Sequence, residues 1–103
     1  MITTLVQFQI GGPDQVGAIK KVFADSVPRY QQVPGLLRKY YLISEDGIKA
    51  GGVYLWNSRE DADALYTDEW KQMIRDKYHS EPVISYFESP VIVDNQYGEI
   101  HTE

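Results

Sequence analysis

Hydrophobic and polar residues alternate from Ile2 to Ile10. Ile2, Thr4, Val6, Phe8 and Ile10 fall on one side, and Thr3, Leu5, Gln7 and Gln9 on the other. That two-residue period predicts a strand with one side facing a core. Gly11-Gly12-Pro13 ends it. No phosphate-loop pattern follows the two glycines, so they read as a turn. The period then changes. Ala18, Ile19, Val22, Phe23 and Val27 recur at helical spacing, with Lys20, Lys21 and Asp25 off the stripe. Pro13 and Asp14 suit the first turn of this helix. Pro28 predicts its end near Ser26, with one further turn over Pro28–Gln32.

Alternation returns over Leu36–Ser44 and Lys49–Trp56. Asp46-Gly47 between them is a strong hairpin signal and predicts a type I′ turn. A turn centred there sets Tyr41 opposite Gly52, Lys39 opposite Tyr54 and Leu37 opposite Trp56, and a four-residue loop keeps the same pairing. One face then carries Leu37, Lys39, Tyr41, Ile43, Gly52, Tyr54 and Trp56. The other carries Leu36, Arg38, Tyr40, Leu42, Gly51, Val53 and Leu55. Both are largely apolar, so both need cover.

Ser58 with Asp61 has capping-box spacing and opens a second helical segment through Ala62, Leu65 and Tyr66. Thr67-Asp68-Glu69 repeats the start signal, which predicts a kink or restart. Trp70, Met73, Ile74, Lys77 and Tyr78 then fall on one helical face. Pro82 stops the helix, Val83–Glu88 reads as a strand, and Val91–Val93 as a short apolar addition that pairs with a sheet edge, in this chain or a second copy. We expect residues 1–93 to form one domain and residues 94–103 a polar, mobile tail.

The order β-α-β-β-α-β is an α+β, ferredoxin-like arrangement, with strands one and three central and both helices on one side of the sheet. The uncovered side of such a sheet would be apolar, which predicts a homodimer with the sheets face to face.

Composition narrows the function. The net charge is −5 and the basic residues are scattered, which argues against nucleic acid and anionic membranes as partners. No stretch reaches the roughly 20 apolar residues of a membrane span. The N-terminal stretch lacks a basic flank and reads as a strand rather than a signal peptide. There are no cysteines and two histidines, a poor basis for a metal site, and we expect neither metal nor cofactor. The lack of cysteine fits the reducing cytoplasm, where we expect the protein to reside. The 8 tyrosines suit either a large aromatic core or a site for a planar ligand.

Pro34-Gly35-Leu36-Leu37-x-Lys39-x-Tyr41, Gly51-Gly52-Val53-Tyr54-Leu55-Trp56 and Ser58 together resemble the dimeric α+β barrel superfamily. The likeness is greatest to small mono-oxygenases of the YdhR type, and more distant to antibiotic-biosynthesis monooxygenases. The superfamily includes cofactor-free oxygenases, haem-dependent enzymes, isomerases and proteins of unknown role, so the resemblance implies the fold more firmly than the reaction.

Cofactor-free oxygenation needs an apolar pocket that excludes water, orients an aromatic ring and stabilises its anion. Lys39 is the candidate partner for that anion. Tyr41, Tyr54 and Trp56 would hold the ring, and Trp70 and Tyr78 would close the opposite wall. This places the Lys39 face toward the helices. The reverse would bring Arg38 and Tyr40 there and bury Lys39 in the dimer seam. The bland alternative makes Tyr41, Tyr54 and Trp56 ordinary core. His79 is the second catalytic candidate, as a general base. Its place at a helix C-terminus is also favoured by the helix dipole alone. An isomerase or lyase of a small aromatic-derived acid, and a non-catalytic dimer that binds a small ligand, are the rival functions.

Overall fold

The structure is a computed structural model that describes residues 1–103. Strands β1 (Ile2–Gln9), β2 (Leu36–Ile43), β3 (Lys49–Trp56) and β4 (Val83–Glu88) form one antiparallel sheet in the order β2-β3-β1-β4. Helix α1 (Val16–Gln31) follows a 3-10 turn at Pro13–Gln15, and α2 (Arg59–Leu65) and α3 (Asp68–Tyr78) form the second crossover. The fold is the expected ferredoxin-like one.

The helix-covered face of the sheet is built in rows across the four strands. Lys39, Tyr54, Thr4 and Tyr86 make one row, and Tyr41, Gly52, Val6 and Ile84 the next. On the opposite face Tyr40, Val53, Leu5 and Ser85 make one row, and Arg38, Leu55, Thr3 and Phe87 another. The core lies between the first face and the helices: Val6, Phe8, Tyr54 and Trp56 meet Ile19, Phe23 and Tyr30 from α1 and Trp70 and Ile74 from α3. The second helical segment restarts as expected. The Ser58 hydroxyl accepts from the Asp61 N–H, and the Thr67 hydroxyl accepts from the Trp70 N–H.

Five local features depart from the sequence reading. Helix α1 does not stop at Ser26 but runs through Pro28 to Gln31. Pro28 removes one hydrogen bond in the last turn, and continuing the helix buries Tyr30 on the line of Ile19 and Phe23. Val27 lies off that line and is exposed. The hairpin turn is a four-residue loop rather than type I′, because only Gly47 has positive φ. The Asp46 carboxylate holds the loop by accepting from the Ile48 N–H and the Ser44 hydroxyl. The Lys39–Tyr54 and Tyr41–Gly52 pairs stand as expected, but a bulge after Leu36 sets Leu36, not Leu37, opposite Trp56. Finally, Val91–Asp94 (β5) pairs with Glu99–Thr102 (β6) in a separate two-stranded sheet. Within this chain the short strand therefore joins neither edge of the main sheet, and residues 99–102 of the tail form its partner strand. An Arg38–Asp94 ion pair at 3.2 Å ties this hairpin to β2.

Candidate active site

Lys39 is the centre of the site because strand alternation turns it inward while its neighbours Arg38 and Tyr40 turn out. Its stem lies over Gly52: a Cβ built there would stand 3.3 Å from Lys39 Cε and 3.1 Å from Tyr54 Cε1. The missing side chain is what lets a lysine reach in. The ammonium ends among three phenol faces. Lys39 Nζ lies 3.2 Å from the ring centroid of Tyr30, 3.9 Å from that of Tyr41 and 4.6 Å from that of Tyr54. No carboxylate pairs with it.

Each ring is held by a neighbour. The Trp70 indole N–H donates to the Tyr30 hydroxyl at 3.1 Å. Ser26 donates to the Phe23 carbonyl at 2.8 Å, so its oxygen is free to accept from the Tyr41 hydroxyl at 2.7 Å. Tyr54 is stacked on Trp56, 6.0 Å between centroids and 5° between planes. Beneath them Trp56 donates its indole N–H to Thr4 at 3.0 Å, and the Thr4 hydroxyl lies 2.6 Å from that of Tyr66. The cage is thus clamped from both helices and from the sheet.

Burial, helped by the nearby Arg29 charge, pushes the Lys39 ammonium from 10.5 down to about 7. The three ring faces act the other way, each favouring the cation by about 0.5–2 kcal/mol. Burial also raises Tyr41, Tyr54 and Tyr78 above the usual phenol range. At neutral pH those phenols keep their protons. Lys39 is the cavity group whose charged and neutral forms come closest to balance there.

The space around Lys39 has two parts. The inner cavity holds only about 20 Å³, the room of a single water, and is lined by Tyr30, Lys39, Tyr41, Tyr54, Trp70 and Tyr78 among others. An outer groove of about 430 Å³ lies between the end of α1 and the start of β2, lined by Val27, Gln31, Leu36, Leu37 and Arg38. Tyr30, Lys39 and Tyr41 line both and form the wall between them. A groove of that size is in the range of small-ligand sites.

Lys39, Tyr41, Tyr54, Trp70 and Tyr78, all expected from sequence, converge on the inner cavity. Trp56 does not line it: it is completely buried one layer below, as core. His79 is exposed and caps α3 in the left-handed conformation, φ 55°, with its backbone N–H bonded to the Arg75 carbonyl. It lines neither space. Tyr30, Phe8, Phe23 and Arg29 are cavity residues that the sequence reading passed over. The signal for Tyr30 was its seven-residue offset from Phe23, masked by Pro28. No group of three His, Asp or Glu side chains converges to hold a metal ion. No helix is long and apolar enough to cross a membrane.

Comparison with solved structures places the fold. A monooxygenase from the gene ActVA-Orf6 of Streptomyces coelicolor, in complex with nanaomycin D, superposes with a TM-score of 0.67 at 19% identity, over 85% of this chain and 86% of that one. A structure from Deinococcus radiodurans, described as a putative antibiotic biosynthesis monooxygenase, gives 0.70 at 11% identity, over 91% and 97%. SnoaB, a cofactor-independent oxygenase from Streptomyces nogalater, gives 0.63 at 16% identity, over 85% and 91%. At these identities the likeness is one of fold. None of the curated protein sequences matches the chain. The model of the family described as "Putative mono-oxygenase ydhR" matches residues 4–89, most of the sheet and all three helices, and the chain belongs to that family.

Proposed function

We propose that the protein is a cofactor-independent monooxygenase of small phenolic compounds, with Lys39 as the proton acceptor. The observation that carries this is a lysine without an acid partner, enclosed by three phenol rings at the wall of a groove that can admit a planar ligand. The neutral amine takes the substrate's phenolic proton, and the ring faces stabilise the ammonium that forms. The phenolate passes one electron to dioxygen. The radicals combine at a ring carbon, the Lys39 ammonium returns its proton to the peroxide, and the resulting hydroperoxide loses water to leave a quinone. The sum is a phenol plus O₂ giving a quinone plus water. The substrate supplies all the electrons.

Oxygen uptake with one- and two-ring phenols, without added cofactor, tests this. Uptake equimolar with quinone is expected. Proton exchange or rearrangement of the phenol without uptake would make the protein an isomerase or lyase. Binding with no turnover of any kind would leave it a ligand-binding protein.

The same reading includes a homodimer. The helix-free face exposes Tyr40, Leu42, Val83 and Phe87, the last two at 60% and 54%, around half-buried Leu5, Val53 and Leu55. Exposed apolar side chains grouped in this way on one sheet face favour an interface with a second copy. Light scattering at micromolar concentration is expected to give twice the mass of the chain, and a monomer there sinks the proposal.

A further inference from the structure

The amine of Lys39 stands at the partition between the groove and the inner cavity. Its Nζ is nearest to the rings of Tyr30 and Tyr41, at 3.2 and 3.9 Å from their centroids, and those two residues line both spaces. Tyr54, which lines the inner cavity alone, is farther away at 4.6 Å. The lysine is half-buried rather than sealed, and the open space that it borders is the groove of about 430 Å³. No carboxylate holds the nitrogen in its charged form.

An ammonium has no lone pair to offer, whereas an amine held at about 7 by burial offers one at neutral pH. A lysine desolvated in this way, with no acid beside it, is set up to attack a carbonyl carbon. The groove walls are mostly apolar, with Val27, Leu36 and Leu37 beside the two tyrosine rings. They suit an aromatic body that carries such a carbonyl. Behind the amine, the inner cavity has the room of a single water, about 20 Å³. One water is what the condensation of an amine with a carbonyl releases.

We infer that Lys39 is also a nucleophile, which condenses with an aromatic aldehyde or ketone seated in the groove to give an imine. The nitrogen lone pair forms the N–C bond while the carbonyl π pair moves to oxygen. That oxygen leaves as water with both hydrogens of the amine, and the electron pair left on nitrogen closes the C=N bond. Nothing is oxidised or reduced. Once protonated, the imine draws electrons from the bonds beside the former carbonyl carbon, which opens proton removal or loss of a carboxylate there. The inference rests on the reading of the groove as the ligand site and of Lys39 as its reactive amine, but not on the oxygen chemistry.

Benzaldehyde with sodium cyanoborohydride at pH 7, in the absence of oxygen, tests this, because the reductant turns an imine into a stable benzylamine. Peptide mapping by mass spectrometry is expected to find Lys39 benzylated at least roughly tenfold faster than the exposed Lys20, Lys21, Lys49 and Lys77 of the same molecule. Acetaldehyde, which has no ring to fill the groove, is expected to show a smaller preference for Lys39. Lys39→Met should lose the fast label and keep the slow labelling of the surface lysines, with circular dichroism as the check on its fold. Labelling of Lys39 no faster than that of the surface lysines, or an equal preference with the two aldehydes, would overturn the inference. Fast labelling of Lys39 with no oxygen uptake from any phenol would leave it standing and remove the oxygenase reading. Oxygen uptake that depends on Lys39, without fast labelling, would do the reverse.

Discussion

Replacing Lys39 with Met is expected to lower oxygen uptake by about 100-fold or more, the usual effect of losing a positioned proton acceptor. Methionine nearly conserves the stem and its packing over Gly52, so the fold should persist. Lys39→Arg separates two roles. Arginine stays charged at any working pH and cannot accept the proton. An arginine variant that keeps its rate would reduce Lys39 to a fixed positive charge. For the parent protein, the rate is expected to rise with pH through about 7, as the amine loses its proton, and to level off above that.

The same substitution has a signature in stability. The Lys39 ammonium titrates lower in the folded chain than in the unfolded one. From about 7 up to the ordinary lysine value of 10.5, the unfolded chain therefore binds more protons, and stability rises with pH across that window. Below about 7 the penalty is at its full, constant size. Lys39→Met removes it. The variant should be more stable than its parent at pH 6.5, on the order of 4 kcal/mol for the fall from 10.5 to about 7, and equal to it near pH 10.5. Thermal melts at the two pH values check this. Parallel shifts at both would mean that the lysine is not desolvated.

Gly51→Ala should be the most damaging small substitution in the sheet. Gly51 faces Gln7 in the central β1–β3 pair. A Cβ there would stand 1.8 Å from the Val6 carbonyl oxygen and 2.7 Å from its carbon. Both are backbone atoms, so no rotamer change relieves the clash, and the two central strands must part. The expected loss is about 4 kcal/mol or more, out of the roughly 5–15 kcal/mol that hold a domain of this size together. That corresponds to a melting temperature lowered by about 20 °C, or to a chain that does not fold. Gly17→Ala is the internal comparison: its Cβ would meet nothing within 4 Å, and in the first turn of α1 alanine is expected to be neutral or slightly stabilising, by about 0.5 kcal/mol at most. Equal melting temperatures for the two variants would show that the strands are not so closely set.

Much of the site could be read along the chain, and its gaps have identifiable causes. Alternation put Lys39, Tyr41 and Tyr54 on one face, and the pairing set by the Asp46-Gly47 loop held. Trp70 and Tyr78 came from one helical face and do meet the sheet residues. Leu37 was misplaced because a bulge carries no reliable mark in a single strand. Trp56 was assigned to the wall because alternation tells which face a residue shares, not how deep it lies there. His79 drew attention by its chemistry, while its conformation and exposure come from the end of α3. Tyr30 was missed because a local rule about Pro28 outweighed the helical spacing that joins it to Phe23, and burial of the ring reversed that order.

The sequence alone determined the four strands of the main sheet, the starts of its helices, the hairpin pairing and the family likeness, since these rest on periodicity, turn chemistry and caps within a few residues. It also determined that one hairpin face would carry a lysine among tyrosines. Only the tertiary structure decided that this face looks toward the helices, and that Tyr30, distant along the chain, completes the cage. It alone decided that Lys39 and Arg29 stand together without an acid. These depend on how two helices settle on a twisted sheet, where burial of whole side chains outweighs the local preferences that a sequence displays.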